Sequence, residues 1–381
     1  MEIQPNNDKK KIVVVGTTFP YRGGLAAFNE RMALQFQAEG DDVSVETFTL
    51  QYPAFLFPGK TQYSNGKAPD LNINRSINSI NPFNWKKVGL QIAKKSPDVV
   101  IFAYWITFMA PCYGKIAKTI KKHCGAKCIA LVHNMIPHEP SILDMMIPYV
   151  FVNKIDAFFS LSASVARDIE RYEKNPKPKS VSPHPIYDHY GEKISRADAL
   201  QKLNLPDDKK YILFFGFIRD YKGLDLLLEA MADERIANSN IQLLVAGEFY
   251  SNEKKYKELT KKLGLQNVTW FSEYIPNDKV NLYFCATDVI VQPYKSGTQS
   301  GVTQVGYHFE KPMIVTNVGG LAEIIPNGKV GFVVEPNAQS IANAIVRFFE
   351  KDDFKSFEEN IREEKKKYAW DILTQKMRSL F

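Results

Sequence analysis

Two cations stand three residues apart in GFIRDYKG, Arg219 and Lys222, directly after the apolar run Tyr211 to Phe215 and before the amphipathic run LDLLLEAM. That pattern places them on a short loop between a buried strand and a helix. A fixed guanidinium and ammonium there can stabilise the charge that a departing phosphate develops. The residues alone also allow two ordinary exposed side chains.

A second cluster begins where Val289-Ile290-Val291 closes at Gln292-Pro293. A polar loop, Tyr294 to Gln299, leads into a helical pattern whose first turn carries Ser300, Gly301 and Thr303 and no carboxylate. Small residues at a helix N-terminus let a phosphate approach unpaired N–H groups and the positive end of the helix dipole. The next strand, Met313 to Thr316, ends in Asn317-Val318-Gly319-Gly320, so two successive strand ends open onto the edge where open α/β sheets bind ligands. Ordinary βα turns with caps and glycines are the other reading of the same residues.

The first half carries two further candidates. Gly23-Gly24 closes TTFPYRGG, between the strand pattern KIVVVG and helical spacing from Leu25 to Glu39, and can bring backbone amides close to a ligand, though such a pair alone is more often a tight turn. The order is not G-x-G-x-x-G, so the dinucleotide fingerprint is absent. His133 follows the hydrophobic strand Lys127 to Val132; a lone histidine is usually structural, but in a loop that also carries Asn134, His138 and Glu139 it is suited to a sugar hydroxyl.

The elements that must hold these loops alternate. Strands are expected at 11–16, 43–50, 99–103, 127–132, 157–161 and 179–182, with helices at 25–39, 83–95 and 113–123. After an aperiodic stretch, His184 to Arg196, strands are expected at 211–215, 242–246, 268–271, 289–291, 313–316 and 330–334, with helices at 341–349 and from 354 to the end. This βα rhythm predicts an α/β fold with two parallel-sheet halves, and the aperiodic stretch reads as the interdomain linker. Tyr52 to Asn81 is longer than an ordinary connection and reads as a lid or binding surface, with disorder as the competing reading; Phe55, Leu56 and Phe57 beside Lys60 suit an acyl chain or headgroup.

The segment TQSGVTQVGYHFEKPMIVTNVGG closely resembles the donor-binding segment of retaining GT-B glycosyltransferases of family four, the glycosyl transferases group 1. The likeness is to a bacterial branch written TQSGV-x-Q…KP-x-I-x-T-x-x-GG. It implies a GT-B fold: two Rossmann-like parallel-sheet domains facing each other across a cleft that holds the active site. The implied boundaries are 1–188 for an acceptor-binding domain, 189–366 for a donor-binding domain and 367–381 for a helix crossing back, with Trp370 as the anchoring aromatic.

The resemblance also implies roles. Arg219 and Lys222 hold the donor's diphosphate, Gly23 and Gly24 face the phosphates and reacting sugars, and His133 positions the donor sugar. Tyr274 and Ile275 lie beside the nucleobase, and Glu248, Ser300 and Gly301 complete the donor site. Most of the family carries two glutamates, and counting back from Lys311-Pro312 their slots fall near Gly297 and at Val305. Neither is acidic, so Gln299 and Gln304 are assigned the hydrogen bonds that the glutamates usually make. The implied activity is retaining transfer of a sugar from a nucleoside-diphosphate sugar to a saccharide or lipid-linked saccharide, in bacterial surface polysaccharide synthesis. No metal or cofactor is expected, and the chain has no Asp-x-Asp. A GT-B nucleotide-sugar epimerase and a non-catalytic sugar-nucleotide-binding protein are the alternatives.

Composition agrees with that class. A chain of 381 residues with 45% apolar content suits two globular domains and excludes disordered and fibrous classes. The net charge of +7, from 49 basic and 42 acidic side chains, suits anionic ligands or an anionic membrane surface, and no nucleic-acid partner is expected. Four cysteines without zinc spacing and a polar start, MEIQPNNDKKK, point to a reducing, cytoplasmic setting, while Phe55, Leu56 and Phe57 with the first-half lysines suggest peripheral contact at the inner membrane face. The lysine-rich helices of the first half read first as a solvated face and second as membrane-attracting.

Overall fold

The computed structural model describes residues 9–53, 62–64, 67–136, 145–297, 300–350 and 354–381. Two compact units divide the chain, one formed by residues 1–183 with 370–381 and the other by 184–369.

In the first unit, β1 (Lys11–Val15), β2 (Asp42–Leu50), β3 (Asn72–Asn78), β4 (Val99–Tyr104), β5 (Lys127–Val132), β6 (Ala157–Ser160) and β7 (Lys179–Val181) form one parallel sheet. Its order is β3-β2-β1-β4-β5-β6-β7. VVIFAY of β4 is buried at every position, because a central parallel strand is covered by helices on both faces and needs apolar side chains throughout. The chain leaves β1 toward β2 on one side and returns to β4 on the other, so the switch point lies between β1 and β4.

The stretch Tyr52 to Asn81 departs from the lid expectation, since it contains β3, paired parallel to β2. Its sequence NINRSIN carries one fully buried position, Ile77. An edge strand with polar residues gives little hydrophobic signal, which is why periodicity missed it. Phe55, Leu56, Phe57 and Lys60 lie outside the described residues.

Helices α1 (Gly24–Ala38), α2 (Pro82–Lys94), α3 (Ala110–His123) and α4 (Pro148–Val152) cover this sheet. The C-terminal helix Trp370–Arg378 also belongs to the first unit. Trp370 packs on Phe28 at 5.1 Å between ring centroids, and Arg378 pairs with Glu39 at 2.8 Å and Asp41 at 2.5 Å.

The second unit holds β8 (Lys210–Phe215), β9 (Ile241–Ala246), β10 (Val268–Phe271), β11 (Val289–Gln292), β12 (Met313–Thr316) and β13 (Gly331–Val334). Its order is β10-β9-β8-β11-β12-β13, again parallel, with the switch point between β8 and β11. Residues 184–196, read from sequence as linker, are part of this unit, and Ile186 N–H donates to Tyr368 O at 2.9 Å.

Candidate functional site

The second unit brings the phosphate candidates to its switch point. Arg219 and Lys222 leave the carboxyl end of β8, and Ser300 and Gly301 follow β11, its neighbour in the sheet. The two loops touch through backbone. Gly223 has φ +69, and a Cβ added there would stand 1.9 Å from Pro293 O. Lys295 N–H also donates to Tyr221 O at 2.7 Å. Lys222 is thereby clamped rather than swinging in solvent.

Lys222 is 9% exposed, and its ammonium lies over the Tyr294 ring, 5.6 Å from the centroid. Among the described residues no carboxylate pairs with it. A buried ammonium without an anion pays for lost hydration, and burial pulls Lys222 down to about 8. Arg219 is exposed and stacks over Tyr250 at 5.3 Å, also without a carboxylate partner among the described residues. Stacking holds the guanidinium by its face and leaves its in-plane N–H fork to a ligand.

The helix Gly301–His308 begins at Ser300, whose hydroxyl makes no cap and instead meets the Tyr294 hydroxyl at 3.0 Å. The first N–H groups of the helix are therefore not satisfied by that side chain, and no acidic residue occupies the first turn. Gly301 has Tyr187 Cε2 2.6 Å from where a Cβ would stand. The cations and this helix start thus gather hydrogen-bond donors at one edge of the sheet, with no carboxylate partner for either cation among the described residues.

Gln304 lies deeper than the first turn suggests. It is 0% exposed, and neither its Oε1 nor its Nε2 has a hydrogen-bond partner. The neighbouring Thr303 is satisfied by Gln292 at 3.0 Å. Gln299 lies outside the described residues. The two slots usually acidic hold Gly297, with φ +157, and Val305, which is 3% exposed.

Beside β9 and β10 the structure adds residues that the sequence reading did not single out. Phe217 packs on Tyr250 at 4.6 Å and stacks with Tyr274 at 6.2 Å and 26°. Tyr274 and Ile275 thus adjoin a three-ring cluster at the carboxyl edge, a surface with π faces for a planar ligand. Glu248 is half-buried after β9, and its carbonyl accepts from Ile218 N–H at 2.9 Å. The sequence signal for this cluster was an aromatic two to four residues after a strand end, at Phe217 after β8 and at Phe249-Tyr250 after β9.

The first unit holds the remaining candidates. Gly23, at φ +110, starts α1, and Gly24 beside it is exposed. Two α1 side chains missed from the sequence reach back to their loop. Asn29 Nδ2 donates to Thr17 O at 2.9 Å, and Glu30 Oε1 accepts from Phe19 N–H at 2.6 Å. Burial raises the Glu30 carboxyl to about 7. His133 is fixed at the end of β5 by its own N–H, which donates to Tyr104 O at 2.8 Å. Its ring stands edge-on to Phe28 at 4.9 Å, so α1 and, through Phe28, Trp370 support the imidazole. Pro137, His138 and Glu139 lie outside the described residues.

Residues 195–368 match the family model described as glycosyl transferases group 1. Over 97% of both chains, the sequence is 23% identical to an uncharacterized glycosyltransferase of Methanocaldococcus jannaschii. It is 30% identical to the D-inositol 3-phosphate glycosyltransferase of Streptomyces scabiei over 194 residues, 48% of this chain and 44% of that protein. The Anabaena protein HepE, solved in complex with UDP, superimposes with a TM-score of 0.73 at 14% identity, covering 97% of this chain and 98% of that one. The fold, two Rossmann-like parallel-sheet domains with GT-B structural neighbours, is the one expected from the sequence.

Proposed function

We propose that the chain transfers a sugar from a nucleoside-diphosphate sugar to a saccharide or lipid-linked saccharide, with retention of anomeric configuration and without a metal, in bacterial surface polysaccharide synthesis. The observation that carries this reading is Lys222: a buried ammonium without a carboxylate partner among the described residues, held over Tyr294 beside an uncapped helix start. An anion is what such a site lacks. The UDP in the HepE structure and the transferase relatives support a nucleoside diphosphate as that anion.

In this reading Arg219, Lys222 and the N–H groups at Ser300-Gly301 bind the diphosphate and stabilise the charge that grows as the glycosidic bond breaks. Phe217, Tyr250 and Tyr274 offer rings to the base, with Ile275 and Glu248 alongside. The acceptor hydroxyl attacks the anomeric carbon from the face that the diphosphate leaves. Its proton passes to the departing phosphate oxygen, so no enzymic nucleophile is needed. His133 orients the donor sugar, and Gly23-Gly24 lets the reacting groups approach the backbone. The site works on the cytoplasmic side, with peripheral contact to the membrane that presents a lipid-linked acceptor. Among the described residues no helix is long and apolar enough to cross a membrane.

A second reading, a sugar-nucleotide-binding protein without turnover, is favoured by Gly297 and Val305 in the usual acidic slots. Melting curves with UDP, GDP, ADP and dTDP test the common part. A ligand at a hundred times its Kd adds about 2.7 kcal/mol to stability, so one nucleotide is expected to stand out. Equal curves with all four would sink both readings. Donor hydrolysis or transfer with the selected nucleotide-sugar then separates them, since the binding protein turns over nothing.

Gln304 supplies a further expectation. An unsatisfied buried amide costs about 1–3 kcal/mol, so Gln304→Leu should melt higher than wild type without ligand. If the amide bonds the donor, the same variant loses roughly 0.5–1.5 kcal/mol of the nucleotide-induced stabilisation. An undiminished nucleotide shift in Gln304→Leu would place the amide outside the donor site.

A further inference from the structure

Helices α2 and α3 contain no carboxylate: their sequences are PFNWKKVGLQIAK and APCYGKIAKTIKKH. They lie against each other at backbone distance, since a Cβ on Gly89 would stand 2.6 Å from Thr119 Cβ. On its other contact α3 meets α4 as closely, with Val150 O 2.7 Å from where a Cβ on Gly114 would be. The three helices therefore present adjoining outer faces.

Those faces are basic and apolar together. Lys86, Lys87 and Lys94 of α2, with Lys115, Lys118 and Lys122 of α3, are exposed and have no carboxylate partner among the described residues. Lys121 alone is neutralised, by Asp156. A shallow groove along α2 is lined by Phe83, Leu90 and the three α2 lysines, with His123 of α3 also on its wall. Of the nine large apolar side chains exposed among the described residues, six belong to this region: Ile80 and Phe83 at the start of α2, and Met145, Met146, Tyr149 and Val150 at α4. Phe83 is 90% exposed and Met146 66%. Isolated apolar side chains on a surface are ordinary, but six gathered around a carboxylate-free field of lysines are not explained by solubility.

We infer that this α2–α3–α4 face docks on an anionic lipid bilayer, the lysines meeting the headgroups and Phe83, Met145 and Met146 entering the acyl boundary. The charge matches that surface, and the separated apolar groups suit a fluid interface better than a fixed protein partner. The inference deepens the lipid-linked arm of the proposed function and rests on it. It moves the apolar contact from Phe55-Leu56-Phe57 to side chains with a described position.

Sedimentation of the full chain with vesicles tests it, using phosphatidylcholine alone and phosphatidylcholine with phosphatidylglycerol. Each lysine near an anionic surface contributes about a fivefold gain in partition. Wild type is expected to bind the anionic vesicles selectively, and Lys86→Gln/Lys87→Gln/Lys94→Gln to lose about 10²-fold. Phe83→Ser/Met145→Ser/Met146→Ser should lose binding that added salt does not mimic. All six positions are exposed, so both variants should melt like wild type and keep the nucleotide-induced shift. Equal binding to neutral and anionic vesicles, no binding to either, or undiminished binding by the lysine variant overturns the inference. Preferential binding to an oligonucleotide over anionic vesicles does so too. A retained nucleotide shift beside absent lipid binding removes this inference alone, while a missing nucleotide shift removes the catalytic reading.

Discussion

Lys222→Ala and Arg219→Ala are each expected to lower turnover about 10²–10³-fold, the loss that follows removal of one preorganised donor to a developing anion. The loss should appear in kcat as well as kcat/KM, because the diphosphate gains charge only as the bond breaks. Lys222 has the larger expected effect, since its ammonium is buried and acts through a drier medium than the exposed Arg219. A steady-state comparison checks it, and turnover within a factor of two of wild type in both variants takes the pair out of the mechanism. Burial also gives the site a pH signature. Lys222 is held near 8 against an ordinary 10.5, so between those values the unfolded chain binds the proton better. The group subtracts from stability at neutral pH, and that deficit fades as pH rises from about 8 to 10.5. A bound diphosphate needs the ammonium charged, so donor affinity should decline above about pH 8. Lys222→Arg stays charged throughout that range, and its affinity should show no such decline. Isothermal titration of the nucleoside diphosphate at several pH values reads both.

Gly223→Ala should be strongly destabilising in the second unit. The position combines φ +69 with Pro293 O 1.9 Å from the would-be Cβ. Left-handed backbone costs an alanine about 1–2 kcal/mol, and forcing the β8 and β11 loops apart adds about 1–3 kcal/mol. For a unit of this size the sum lowers Tm by roughly 4–20 °C. It should also loosen the clamp on Lys222 and weaken nucleotide binding. Gly264→Ala is the control, because its φ is +67 and nothing lies within 4 Å of the added Cβ. That variant should lose only the backbone part, roughly 2–8 °C by the same conversion. Calorimetry on the two variants separates strain from contact: equal melting temperatures would mean that the loops are not in the backbone contact described above.

The sequence by itself determined the alternation of strands and helices, because buried parallel strands such as YILFF and VVIFAY need unbroken apolar runs that composition alone displays. It also located Arg219, Lys222 and Ser300-Gly301, since a cation or a small residue directly after such a run must stand at a strand's carboxyl end. The edge strand β3 was illegible, its pairing to β2 being made by backbone groups that leave no mark on a polar sequence. Tertiary structure alone decided which loops meet. The order β9-β8-β11 puts residues about 80 positions apart side by side, and no local pattern records that neighbour. It also decided environment: Lys222 reads like any loop lysine until Tyr294 and Gly216 close over it, and Gln304 like a helix-surface amide until burial leaves both its polar atoms unpaired. Residue type fixes what a side chain can do, but desolvation and the absence of a counter-charge, which make it seek a ligand, are properties of the packed neighbours.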